Sequence, residues 1–444
     1  MRVLIDSGTS NCRNLGDVAV LQAAVNRLRA FDRQVTLRVF TADAAELQRH
    51  CPGVEAADEH ARREWIAAEF GRERKAHGAP GRPVDRIRAL VHRVRRRHGP
   101  RQHTAAGVAA QMDETDLYVV CGQATLADAD RPHALCLLRT ASLARSRGIP
   151  VAFFSQGIGP LTDDGVLALS RTILGAAVVI GIREDRVARP LLEHLGVPAS
   201  RVFLTGDDAV EAAYAARPAA PGNGLGIHLR IAPLAASSPG IIDRLRPVLQ
   251  ESARAHTAPM IPLPISHHRH GGAYDPATIG ALLAGYEDGS DGGAATDTPA
   301  RLTRSAGRCR IVVTGAYHAA VLALAQGIPA ICLGESEYYL QKFRGLVDGF
   351  GSGCRIVRLD EPELWTRLRE AIDGAWEEAD ALRRPLLEAA EEQIASARSA
   401  YAALRRQLDG PGAPTRSGGA GPHRAQRNAG ADASPLTLAQ GQRS

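Results

Sequence analysis

Lysine is nearly missing from this chain: of 54 lysines and arginines among 444 residues, only Lys75 and Lys342 are lysine. Long apolar runs are missing too. No stretch approaches the roughly 18 uninterrupted apolar residues of a membrane-crossing helix. The opening MRVLIDSGTSN reads as a strand and a polar loop, not a signal peptide, so a cytoplasmic location is expected. Paired cysteines are absent as well. Cys12, Cys51, Cys121, Cys136, Cys309, Cys332 and Cys354 are odd in number, scattered and without a CxxC pair. That distribution argues against a disulfide frame or a zinc site and reads as reduced thiols in apolar or loop positions.

What is present fits a globular α/β protein. With 444 residues and 45% hydrophobic content, the chain exceeds one comfortable core and should form two domains. The net charge of +6 favours anions. The excess is concentrated between Arg62 and Arg101 and is densest at Val91-His92-Arg93-Val94-Arg95-Arg96-Arg97-His98. This run is poor in aromatics and matches no common nucleic-acid module. It reads as a solvated basic helix or mobile lobe, with no nucleic-acid partner expected and peripheral contact with an acidic membrane left open.

Strand and helix patterns alternate along the first two hundred residues. Residues 2–6, 34–40, 117–120, 151–154, 178–182 and 202–204 read as strands, and residues 16–30 as a helix with Val18, Leu21, Val25 and Leu28 on one face. Repeated strand, polar turn and helix indicate a parallel sheet covered on both faces. Residues 215–224 (AARPAAPGNG) read as a linker. Strands resume at 225–229, 260–263, 309–313 and 330–333, with a Gly/Asp-rich flexible loop at 288–299. The expected organisation is an amino-terminal domain over 1–214 carrying a basic helical segment near 60–103, the linker, and a second domain over 225–360. Helices over 361–408 pack back on the body, and a tail over 409–444 is too poor in large apolar residues to fold alone.

The most informative stretch is Val312-Val313-Thr314-Gly315-Ala316-Tyr317-His318. Its β-branched run reads as a strand, and Val321, Leu322 and Ala325 follow His318 at helical spacing, predicting a helix over 316–326. His318 thus lies in the first helical turn at the carboxyl end of a strand. Ligands bind at that edge in open α/β sheets, and a helix start offers N–H groups to an anion. Lys342 stands out because arginine supplies almost every other cation; an ammonium is a compact charge suited to a phosphate or carboxylate. The His267-His268-Arg269-His270 cluster lacks a clear ligand spacing with carboxylates and reads as a loop bordering the cleft, not a metal site. Asp17 also reads as a helix N-cap.

Several motifs, in order, resemble the polysaccharide pyruvyl transferase family as far as about Gly353: Asn14-Leu15-Gly16-Asp17, Ser155-Gln156-Gly157-Ile158-Gly159-Pro160, Ile182-Arg183-Glu184 and Gly226-Ile227-His228-Leu229-Arg230. Gly315-Ala316-Tyr317-His318, then Gly327-Ile328-Pro329 and the downstream Lys342, complete the series. The resemblance implies two Rossmann-like domains in a glycosyltransferase-B-like arrangement. It also implies transfer of pyruvate from phosphoenolpyruvate to hydroxyls of a saccharide or glycosylated acceptor, forming a ketal. His318 is then the candidate general acid. Lys342, Arg183 and Arg230 are candidates to hold phosphate and carboxylate, the arginines reading equally as surface ion-pair partners, and Asn14, Gly16 and Asp17 are candidates to bind the acceptor. An acid and cationic clamps suffice for ketal formation, so neither metal nor cofactor is expected.

The chain departs from the family pattern at Ala316, where many members carry Arg, at Cys121-Gly122-Gln123, which replaces a glycine-rich turn, and at Glu335-Ser336-Glu337-Tyr338-Tyr339, which lengthens the spacing to Lys342. Two other readings stay open, the first resting on the same two-domain build and the second on Ala316 and the altered turn at Cys121-Gly122-Gln123. One is a nucleotide-sugar glycosyltransferase with Glu335 on the ribose and residues 315–318 on the pyrophosphate; the other is a non-catalytic glycan-binding protein. Acceptor and oligomeric state leave no trace in the sequence.

Overall fold

The computed structural model describes residues 1–76, 105–122, 124–231, 240–269, 274–286 and 288–409. Its framework is two parallel sheets. The first contains β1 (Arg2–Ser7), β2 (Thr36–Thr41), β3 (Glu55–Asp58), β4 (Leu117–Cys121), β5 (Val151–Gln156), β6 (Val179–Ile182) and β7 (Val202–Leu204), in the order β3-β2-β1-β4-β5-β6-β7. The second contains β8 (Gly224–His228), β9 (Met260–Pro262), β10 (Cys309–Thr314), β11 (Ala330–Gly334) and β12 (Cys354–Arg358), in the order β12-β11-β10-β8-β9. These are two Rossmann-like domains.

The central strands β1, β4 and β5 of the first sheet and β8, β10 and β11 of the second are buried on both faces, which is why they read as nearly continuous apolar runs. Side chains alternate between the faces. Leu4, Phe40, Tyr118, Val120 and Phe153 enter one core of the first sheet, while Val3, Ile5, Val39, Val119 and Phe154 enter the other. In the second sheet Ile227, Ile311, Val313 and Ile331 face one core; Cys309, Val312 and Cys332 face the opposite one.

Strand order reverses beside β1 in the first sheet and between β8 and β10 in the second. Such switch points open a crevice at the carboxyl ends of the strands. The crevices meet through main chain: Leu15 N–H donates to the Ile265 carbonyl at 2.8 Å, His267 N–H to that of Arg13 at 2.8 Å, and Asn14 and Ser266 form an antiparallel bridge.

Several expectations change. The first helix is Leu15–Phe31, and its N-cap is Asn14, whose side-chain oxygen accepts from the Gly16 and Asp17 N–H groups. Asp17 therefore sits inside the first turn, where its carboxylate is free to face the crevice. The helix Ala44–His50 and the short edge strand β3 have no counterpart in the sequence reading; EAAD is too brief and too polar for a strand signal. The carboxyl-terminal helical region is one helix of 46 residues, Leu364–Asp409. It crosses the molecule, packing Leu368 and Ile372 in one core, Leu386 and Ile394 in a second, and Ala400, Tyr401 and Leu404 against the first sheet. Pro299 begins the helix Pro299–Ala306.

The basic region begins in the helix Glu59–Ala76, where Arg62 is interior instead of solvated: it pairs with Asp6 at 2.5 Å and Glu59 at 2.6 Å. The dense run at 91–98 and the tail from 410 onward lie outside the described residues. Among those described, no helix is long and apolar enough to cross a membrane.

Candidate active site

His318 is the second residue of the helix Tyr317–Leu324, which begins after β10. Its N-cap, Ala316, supplies no side-chain cap. His318 is only 7% exposed because its imidazole crosses to the amino-terminal domain. Nε2 lies 3.6 Å from Asp207 Oδ2 and 3.9 Å from Asp17 Oδ1. A Cβ on Gly16 would stand 2.1 Å from the His318 Cγ, so glycine is what lets the first helix approach the ring.

Asp207 follows β7 and is buried. Burial raises its pKa, but the charge of Arg183 and the contact with His318 outweigh that and hold it down to about 2. Arg183, just beyond β6, pairs with Asp207 at 2.9 Å and lies 5.1 Å above the Tyr317 ring. Its Nε also donates to Ser155 Oγ at 3.3 Å, and the same hydroxyl accepts from the Asp208 N–H at 3.0 Å. Ser155 can aim there because it occupies a left-handed conformation (φ 56°) where the register of β5 shifts.

Arg230 follows β8. Its guanidinium meets Asp275 at 3.2 and 2.8 Å, and Asp275 also takes His228 Nε2 at 2.9 Å and the N–H groups of Ile265 and Ser266 at 3.0 and 2.6 Å. Burial opposes ionisation of Asp275, yet Arg230 and His228 hold it well below the usual carboxylate range. The carboxylate thus fixes Arg230 and the segment that bonds to residues 13–15.

Lys342 projects from the helix Glu337–Phe350. Its ammonium lies 3.8 Å from the Tyr338 ring centre and 5.2 Å from that of Tyr339. Burial and the like charges of Arg183 and Arg230 push it down to about 7, against the opposing pull of Asp17 and Asp130. Among the described residues no carboxylate lies within ion-pair distance of it. It lines a small cavity with Gly157, Pro160, Glu184 and Tyr338.

Of the residues singled out in the sequence, His318, Arg183, Asp17, Lys342 and Arg230 gather around one interdomain crevice. Both arginines are ion-paired, as one reading had it, but with buried carboxylates and not at the surface. Asn14 and Gly16 contribute differently: Asn14 spends its side-chain oxygen on the cap, and Gly16 makes room for His318. His267 Nε2 contacts the Thr296 carbonyl at 3.0 Å and His268 Nδ1 lies 3.2 Å from Asn11 Nδ2; His270 is outside the described residues. Asp207, Asp275, Ser155 and Tyr338 were not assigned roles from sequence. For Asp207 the signal existed, an acidic pair directly after a strand; for Asp275 none did.

The arrangement can deliver a proton from His318 beside a carboxylate while presenting three cations to an anion. A family model described as polysaccharide pyruvyl transferase matches residues 14–337. Among solved structures, a Listeria monocytogenes protein described as a UDP-N-acetylglucosamine 2-epimerase is similar at 12% identity and TM-score 0.55, covering 92% of this chain and 96% of that one. The UDP-GlcNAc 2-epimerase of Neisseria meningitidis is similar at 11% identity and TM-score 0.50, covering 92% and 99%. At such identities these structures speak for the fold alone. No curated protein sequence matches.

Proposed function

The chain belongs to the polysaccharide pyruvyl transferase family and is a transferase that modifies polysaccharide; from that premise we propose that it moves pyruvate from phosphoenolpyruvate to two hydroxyls of a saccharide or glycosylated acceptor. The observation that carries this reading is His318, set between Asp17 and Asp207 in a crevice with Arg183, Arg230 and Lys342. His318 gives its proton to the donor's methylene carbon, which becomes a methyl group. One acceptor hydroxyl bonds to the neighbouring carbon as positive charge develops there, and loses its proton. Phosphate then leaves with the C–O electron pair while the second hydroxyl closes the ketal and releases its own proton.

The three cations hold the donor's phosphate and carboxylate, and Asp17 orients the attacking hydroxyl. Asp207 holds the imidazole and Arg183 in register. The donor is a cytoplasmic metabolite, which supports a cytoplasmic site of action. Because an acid and fixed cations meet every charge that develops, chelators are expected to leave turnover unchanged; loss in chelator and recovery with one divalent ion would contradict this mechanism.

The test is incubation of the purified protein with phosphoenolpyruvate and a panel of glycans, reading phosphate release and the mass of the glycan product. Matched phosphate and ketal formation is expected. Transfer of a sugar from a nucleotide donor, with none from phosphoenolpyruvate, would replace this reading.

A further inference from the structure

Lys342 is an ammonium in an unusual setting: half-buried, beside two arginines, and with no carboxylate among the described residues close enough to pair. The arginines have partners, Asp207 for Arg183 and Asp275 for Arg230. What lies against Lys342 is the face of Tyr338, one helical turn earlier on the same helix, with Tyr339 farther off. An aromatic face attracts a cation, and more so where water is excluded. Tyr338 also has a second attachment. Its hydroxyl donates to the Ala124 carbonyl at 3.0 Å, so a side chain from the second sheet's helix is tied to main chain beyond β4 of the first.

We propose that Tyr338 is a positioning residue for donor binding: its ring carries the Lys342 ammonium, and its hydroxyl bond to Ala124 sets that ammonium against the Gly157–Pro160 turn of the opposite domain. This rests on the function proposed above and adds to it a residue within the stretch where the chain departs from the family spacing. The ring stabilises a half-buried ammonium that has no carboxylate partner among the described residues, leaving its charge available to an incoming anion. A carboxylate in the same place would compete with the incoming anion for the ammonium, as Asp207 and Asp275 do for the two arginines.

The scarcity of lysine makes the test direct. In full-length protein carrying isotopically labelled lysine, only Lys75 and Lys342 give side-chain signals, and Lys342→Arg assigns them. The groups that act on Lys342 are Arg183, Arg230, Asp17 and Asp130, with Glu184 lining the same cavity; all stay unchanged in variants at 338. Removing the ring removes stabilisation of the charged form, so the Lys342 midpoint in Tyr338→Leu should fall by about half a unit or more. Tyr338→Phe keeps the face and should titrate as wild type. Both variants are first checked for wild-type circular dichroism, with Tyr338→Met in reserve should the leucine variant fail to fold.

In donor assays the Tyr338→Leu KM for phosphoenolpyruvate should rise several-fold more than its kcat falls, and Tyr338→Phe should show a smaller rise from the lost bond to Ala124. A leucine variant whose Lys342 titrates as wild type, or a phenylalanine variant that falls as far as leucine, overturns the proposal. The titration needs neither donor nor turnover. A protein that titrates as expected yet ignores phosphoenolpyruvate therefore overturns the function proposed above and leaves the placement of Lys342 by Tyr338 standing.

Discussion

Single residues in this crevice differ in what they contribute, and substitutions should separate them. With His318 as proton donor, His318→Ala should cut kcat by about 10²-fold or more while donor affinity falls less, measured on protein with wild-type circular dichroism and melting. Near wild-type turnover in that variant would make the histidine structural. Lys342 predicts a pH effect. Its ammonium titrates near 7, so donor KM should climb as pH rises through that value, and Lys342→Met should have a high KM that no longer responds there. Lys342→Arg should restore affinity only in part, because a planar fork does not fit the place of a compact charge. The sign for stability is the reverse of the usual lysine case. The folded pKa lies below the unfolded one, so between about 7 and 10.5 the unfolded chain holds more protons and wild type gains stability with rising pH relative to Lys342→Met. Denaturant titrations of the donor-free proteins across that window check it.

At the scale of elements, the close contact between the Leu15–Phe31 helix and the Tyr317–Leu324 helix decides whether His318 faces the crevice. Gly16→Ala places a methyl group where the imidazole now sits. Its expected outcome is a kcat loss approaching that of His318→Ala, with a stability cost of about 1–3 kcal/mol from overpacking. Full activity with an unchanged melting curve would show that the helices part easily. Asn14 anchors the same helix start by capping, so the Asn-x-Gly-Asp segment provides a cap, a gap and a carboxylate in four residues.

At the scale of the molecule, the Leu364–Asp409 helix joins the two sheets. Tyr401 stacks on Phe154 with ring centres 3.8 Å apart and donates to Asp208, and Ser396 donates to the Leu204 carbonyl at 2.6 Å. Deleting 410–444, a segment poor in large apolar residues, should leave melting temperature and activity nearly unchanged. Deleting 396–444 should lower stability by about 3 kcal/mol or more, the scale of removing one buried aromatic, and reduce turnover by loosening the domains. Equal melting curves for the two truncations would show that the helix end carries no such load.

The sequence by itself determined the local features. Fully buried parallel strands have to be apolar along their length, and a strand followed by helical spacing places His318 at a helix start; both are local rules, and both were legible. The ordered motifs likewise pointed to the family and to five of the residues around the crevice. Tertiary structure alone decided which groups confront one another. Asp275 meets Arg230 from 45 positions away, with no periodicity to announce it. Asp207 reaches His318 only because two separate sheets present their carboxyl edges to each other. Lys342 could be singled out by composition, but the aromatic face beneath it and the want of a carboxylate partner among the described residues are facts of packing. Burial and charge pairing act through distance in space, and the order of residues along the chain does not encode that distance.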